Sequence, residues 1–477
     1  MAYLSRRHLM LGAGAAGFAS SMGALTGLAG QTAWAAETSG YKALVCIFLF
    51  GGRDHADTVI PYDQSEYNYL STTIRQSLFS AYNSENSGSS RNRNNLLRLD
   101  PSGTSITGGR QFALPPELGP VHDMFNAGDL AIVGNVGPLI EPTSRAAIEN
   151  ETAILPRNLN SHNDQQSTWM AFQPEGARFG WGGLFADRTA AASPSQNAAF
   201  ASISAGSNAV FSSGMDVSPF TVTRNGASLP SLIEERSLIG NTNGDNAARA
   251  AIQSFLTGRA YGENNVYSKD LRASIGVGLE NSQRMLEARE NAVPFSTQFP
   301  ENGVGKQLSA VADTIRIQQF LNVNRQVFFV STGAYDTHGD QSTRLVQNHT
   351  QLAGAMAAFK AAMQEIGRWN DVTMFTASDF GRTQSDNGDG TDHGWGGHHF
   401  VAGGSVRGGR FYGSLPVANP SDSAYTGRSL IPTVSVEQYA ATMGRWFGLD
   451  SGELNSALPN LSNFNNSDIG FMSTGGS

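Results

Sequence analysis

The sequence predicts an α/β protein: a doubly wound, mostly parallel central sheet flanked by helices, carried by residues 36–477 as one domain with a helical and loop insertion. Three observations lead there. Short, continuous apolar runs recur along the chain, helical patterns separate several of them, and Asp- and His-bearing segments follow the runs directly.

The runs come first. Residues 43–50, ended by Gly51-Gly52, read as a strand buried on both faces, as parallel sheets require. Runs at 130–134, 327–331, 372–376 and 399–403 read the same way. Helical patterns cover 351–369 and 436–447. The excursion 71–109, rich in Ser, Asn and Gly, reads as a polar surface loop. Residues 193–300 read as a cap or insertion beside the sheet.

The first 35 residues carry a different message. Arg6-Arg7 precede an apolar stretch rich in Ala and Gly, and Ala33-Trp34-Ala35 supplies a small-x-small cleavage site. That order describes a twin-arginine signal peptide, which implies export of the folded protein to the periplasm or the cell surface. The stretch is too weakly apolar for a permanent membrane span.

Composition narrows the function classes. Of 477 residues 15% are charged, with a net charge of −8 and no basic tract, which argues against nucleic acid binding. The single cysteine, Cys46, lies in an apolar run, so no disulfide forms within the chain.

Ligands of open α/β sheets gather at the carboxyl ends of strands, so the segments after the runs are the informative ones. They contain Arg53-Asp54-His55, then Asp336-Thr337-His338, then Asp379-Phe380-Gly381-Arg382; Asp392-His393 and His398-His399 lead into the last run. Carboxylates and imidazoles converging on one sheet edge suit a divalent metal: Zn, Mn, Mg or Ca. Asn160-Ser161-His162 opens a helical stretch. Ser161 is either an N-cap or a nucleophile at the positive end of a helix, where phosphate and sulfate are also favoured. Arg53 or Arg382 reads either as a bidentate oxyanion clamp or as half of a structural ion pair.

These segments, together with Gly403-Gly404-Ser405 and Ile431-Pro432-Thr433, resemble the uncharacterised DUF1501 family, grouped with the alkaline phosphatase-like superfamily of phosphatases, sulfatases and phosphomutases. The resemblance implies metal ligation by Asp54, Asp336, His338, Asp379 and His393, with Asp392 and His398 as further candidates. It also implies catalysis by Ser161, with His162 and Arg382 beside it. Phe380 stands where the metal-binding phosphatases place a histidine, and no Cys-x-Pro-x-Arg segment exists for a formylglycine mechanism. Two readings follow: a metal-dependent hydrolase of phosphate or sulfate esters, acting on a small anionic ester or a sulfated or phosphorylated glycan, or a non-catalytic envelope protein of the same fold that binds a glycan or protein partner.

Overall fold

A computed structural model describes residues 36–85, 89–102, 107–223, 226–227 and 266–473. The signal-like segment 1–35 lies outside the described residues, as do the centre of the polar excursion and much of the predicted insertion.

Among the described residues ten strands make the central sheet: β1 (Lys42–Leu49), β2 (Leu130–Gly137), β3 (Ser202–Ser204), β4 (Phe220–Thr223), β5 (Gly226–Ala227), β6 (Arg325–Thr332), β7 (Val372–Ser378), β8 (Gly397–Gly403), β9 (Phe411–Gly413) and β10 (Val434–Ser435). Their order is β9-β2-β8-β7-β1-β6-β3-β4-β5, with β10 also on β2. β1 lies between β7 and β6 and runs parallel to both; Val45 aligns with Met374 on one side and Phe328 on the other. β8 runs against β7 and β2. Its N-terminus therefore sits at the same edge as the C-termini of β1, β2, β6 and β7.

Alternation along β1 divides the core in two. Ala43, Val45, Ile47 and Leu49 join one apolar cluster with residues of α1 (Gly119–Asn126), α4 (Val266–Glu290), α5 (Gly303–Arg316) and α6 (Gln341–Glu365). Leu44, Cys46 and Phe48 join the opposite cluster with α2 (His162–Ala171), α3 (Trp181–Ala192) and α7 (Val436–Phe447). Helices on both faces explain why the run carries no polar alternation. Fully burying one such Leu, Ile or Phe contributes about 1.5–3 kcal/mol. No helix among the described residues is long and apolar enough to cross a membrane.

Two expectations change. The excursion 71–109 is not simply a polar loop: Gln76–Glu85 is helical, and Arg75 and Arg91 are fully buried. Arg75 pairs with Asp54 at 2.5 Å, and Arg91 pairs with Asp57 at 2.8 Å and Glu117 at 2.7 Å. Arginines inside a polar composition anchor the segment to the core. Within 193–300, β3 and β4 extend the sheet in parallel beside β6 instead of capping it. Ser202–Ser204 is too short and too rich in serine to stand out as an apolar run.

Candidate metal centre

The edge formed by the ends of β1, β6 and β7 and the start of β8 gathers the chemistry. Gly51 and Gly52, immediately after β1, have φ of 119° and 92°, in the region that favours glycine. A Cβ on Gly51 would lie 2.2 Å from the Asp336 nitrogen, and one on Gly52 would lie 2.5 Å from the Phe380 ring. Only glycine lets the loop after β1 pass this close beneath the site.

Asp336 follows β6, His393 precedes β8, and His162 opens α2. One ligand atom from each lies within 4.8 Å of the other two. Asp336 Oδ1 is 3.4 Å from His393 Nε2, and Asp336 Oδ2 is 3.5 Å from His162 Nε2. His338 adds a fourth: its Nε2 is 3.2 Å from Asp336 Oδ1 and 2.9 Å from His393 Nε2. The cluster is open, with the Asp336 and His338 side chains 44% and 47% exposed.

The far nitrogens settle the tautomers. His162 Nδ1 donates to Asp379 Oδ2 at 2.6 Å, His393 Nδ1 donates to the Asn160 carbonyl at 2.9 Å, and His338 Nδ1 faces Asp392 Oδ1 at 3.3 Å. Each of these partners accepts, so each neutral imidazole carries its hydrogen on Nδ1 and turns a bare Nε2 inward. At 2.9 Å the inward nitrogens of His338 and His393 either share a hydrogen, with one ring protonated, or both offer a lone pair to a cation. Donors in a tetrahedron around zinc are about 3.3 Å apart, given Zn–N bonds near 2.0–2.1 Å. The 3.2–3.5 Å spacings from Asp336 to the three imidazoles are close to that, and the Nδ1 partners are the outer-shell acceptors that metal-binding histidines need.

Charge supports the arrangement. The hydrogen bond from His162 to Asp379 raises the pKa of His162, against burial. Burial lowers that of His393. Burial would raise the Asp336 carboxyl, but the hydrogen bond and charge of Arg382 bring it below its usual range. Arg382 is fully buried and donates to Asp336 Oδ1 at 2.8 Å and the Gly51 carbonyl at 3.0 Å, and also to the Thr391 carbonyl. Its donors hold the site together, so of the two roles open to it from the sequence the ion pair is the one present, and Arg382 is a positioning residue.

Several expected ligands have other partners. Asp54 accepts both guanidinium nitrogens of Arg75, at 2.5 and 2.9 Å, plus Gln341 Nε2 at 2.6 Å and the Ala56 backbone N–H at 3.1 Å. Both oxygens are committed, so Asp54 is a buried ion-pair partner and not a free ligand. Asp379 receives His162, Gln166 Nε2 at 2.9 Å and the Gly51 N–H at 3.2 Å; it orients a ligand. Asp392 does the same for His338 while receiving Asn387 and Arg428, at 3.0 and 2.5 Å. His398 is buried, accepts the Asn135 N–H at 3.0 Å, and is kept neutral by burial. His398 therefore lies outside the cluster. Ser161 caps α2, its Oγ accepting the Asp164 N–H at 3.4 Å. The Phe380 ring centroid is 4.9 Å from His162 and 4.5 Å from His393, so an apolar face backs the cluster where the resemblance implied a histidine. Arg53 is buried without an ion pair and stacks 3.9 Å over the Phe400 ring.

Sequence reasoning missed Arg75, Gln166 and Asn160. Gln166 had a signal, since it follows His162 by one helical turn and shares its face. Arg75 had none, because it lies within the stretch 71–109 read as a polar loop, 21 residues beyond its partner Asp54.

The fold and this cluster define an α/β protein with a His/Asp group at the carboxyl edge of its sheet. Residues 41–461 match the family described as "Protein of unknown function (DUF1501)", and the chain belongs to that family. No curated protein matches the chain with significant similarity. Among solved structures, Ps i-CgsB in complex with k-i-k-neocarrahexaose is similar at 8% identity over 90% of this chain and 78% of the other, with a TM-score of 0.35. PsFucS1 sulfatase from Pseudoalteromonas sp. is similar at 9% identity over 87% and 73%, with a TM-score of 0.31. A glycosaminoglycan-metabolism protein of Bacteroides thetaiotaomicron shows 11% identity over 87% and 74%, with a TM-score of 0.32.

Proposed function

We propose that the protein is an exported, metal-dependent hydrolase of phosphate or sulfate esters. One observation carries the reading: His162, His393 and the Asp336 carboxylate each turn a ligand atom to within 4.8 Å of the others at a solvent-open edge, with His338 beside Asp336 and His393 and an acceptor behind each imidazole. His162, His338, His393 and Asp336 would hold one divalent cation, with zinc the best match to nitrogen-rich donors. Such a cation, when bound, supplies Lewis-acid polarisation and charge neutralisation at an ester oxygen.

The chain's own groups do the rest. Three neutral imidazoles and one carboxylate leave a bound divalent cation with net positive charge. Beside it lies the N-terminus of α2, whose backbone N–H groups also favour anions. Both features select an anionic substrate. Ser161, at that terminus, is the proposed nucleophile; its Oγ accepts the Asp164 N–H, and its hydroxyl also lies beside the Asp164 carboxyl. Phe380 excludes water from one side of the cluster.

A second reading has its own support. With His338 counted, four protein donors lie at the edge, and four is the donor number of structural zinc sites. In that case the protein is a non-catalytic envelope component that binds a glycan or protein partner.

Turnover of p-nitrophenyl phosphate and p-nitrophenyl sulfate by purified, metal-loaded protein decides between them. The hydrolase reading expects turnover that Asp336→Asn and Ser161→Ala both reduce by at least about a hundredfold. Turnover unaffected by Ser161→Ala would keep the enzyme and discard the nucleophile. No turnover by a metal-replete protein would favour the structural reading.

A further inference from the structure

A second pocket lies along α2, away from the metal-centre end. Its volume is about 160 Å³, and it shares no residue with the His/Asp cluster. Pro138, Leu139 and Ile140 follow β2 and form one wall; Thr168 and Phe172 come from the far end of α2, and Pro156 and Pro174 close the rest. Dry apolar cavities of about 150 Å³ take a benzene-sized molecule.

One residue breaks the apolar pattern. Glu437, in the first turn of α7, lines the pocket and is 1% exposed. Its Oε1 accepts Asn460 Nδ2 at 2.7 Å, while Oε2 has no hydrogen-bond partner among the described residues. Among the described salt bridges none involves Glu437. Arg157, the only other charged residue lining the pocket, is exposed. A carboxyl held by one oxygen and desolvated at the other gains most from a partner that brings positive charge, because charge-assisted bonds strengthen away from water.

From this geometry we infer that the pocket is a binding site for a small primary amine with an apolar body, its ammonium donating to Glu437 Oε2 and its body lying against Leu139, Ile140 and Phe172. Burial also raises the pKa of the Glu437 carboxyl to about 7, so an incoming cation finds a group whose ionisation it favours. The inference is independent of the hydrolase reading, since neither site uses the other's residues.

Benzylamine and benzyl alcohol, matched in shape, test it by calorimetric or ligand-observed NMR titration of the full chain at pH 8. The amine binds at least about tenfold more tightly than the alcohol, as one charge-assisted bond predicts. Glu437→Gln keeps the Asn460 bond and removes that preference, so that amine and alcohol bind about equally. Ile140→Trp, which fills the pocket, blocks both ligands and serves if Glu437→Gln fails to fold. Equal affinity for the two probes on the native chain, an amine preference that survives in Glu437→Gln, or no binding of either at millimolar concentration overturns the inference.

Discussion

Asp54 and Asp336 occupy equivalent places, each a few residues past the carboxyl end of a parallel strand on either side of one strand pairing, yet they do opposite things. Asp54 is 1% exposed and closed by Arg75 and Gln341. The Asp336 side chain is 44% exposed and faces three imidazoles. The difference lies in how the neighbouring guanidinium is shared. Arg75 takes both oxygens of Asp54, whereas Arg382 donates to Asp336 only at Oδ1 and leaves Oδ2 facing His162. Position after a strand therefore finds the edge of the sheet, and the partners decide the role.

The largest effect expected from this contrast is on stability. Arg75→Ala leaves a buried carboxylate alone and costs about 3–5 kcal/mol. Asp336→Asn in metal-free protein costs about 1 kcal/mol or less. Urea denaturation of the two variants checks this; equal losses would erase the distinction.

Metal should act only on the open side of the comparison. Zinc at about a hundred times its Kd stabilises the native chain by about 2.7 kcal/mol, through binding to the folded state alone. The same zinc does nothing for a His162→Ala/His393→Ala double variant and stabilises Asp54→Asn by the full amount. Thermal melts with and without zinc give the answer.

A smaller effect separates ligands from their holders. Asp379→Asn leaves every inward-facing donor in place but weakens the grip on His162, and should lower zinc affinity by about 10–100-fold. Competition with a chromogenic chelator measures it. An unchanged affinity would mean that Asp379 only braces the loop after β1.

The pH dependence distinguishes the two aspartates last. Burial raises the Asp54 carboxyl, but the charge and hydrogen bonds of Arg75 more than reverse this and set it below its ordinary 3.8. A lowered folded value gives stability that is fully present above about pH 4 and lost as the pH falls further. Zinc binding, in contrast, weakens already as the pH falls through the range in which the imidazoles take up protons. Unfolding and zinc titrations from pH 3 to 8 should show two separated transitions; a single shared one would contradict the assignment.

Much of this was legible in the sequence. Strands β1, β2, β6, β7 and β8 follow the apolar runs, and α7 spans 436–447 as its pattern predicts. The antiparallel course of β8 was not legible, because a buried run looks the same in either direction. That reversal is why His393 precedes its strand while Asp336 follows one. α6 begins at Gln341, ten residues before its apolar pattern shows, since its first turns carry Gln341, Arg344, Gln347 and Asn348. Within the site, Asp336, His338 and His393 were readable as one edge. The sorting of Asp54, Asp379, Asp392 and His398 away from the ligand shell was not, because it depends on Arg75, Gln166, Arg428 and Asn135, whose contacts span tens to hundreds of residues.

The most direct test is the metal itself. X-ray absorption and elemental analysis of the protein purified without an affinity tag should find one divalent ion per chain, bound by three imidazoles and a carboxylate, and lost in His162→Ala/His393→Ala. A metal-free protein that does not take up zinc, or an ion that the double variant retains in full, would contradict the account.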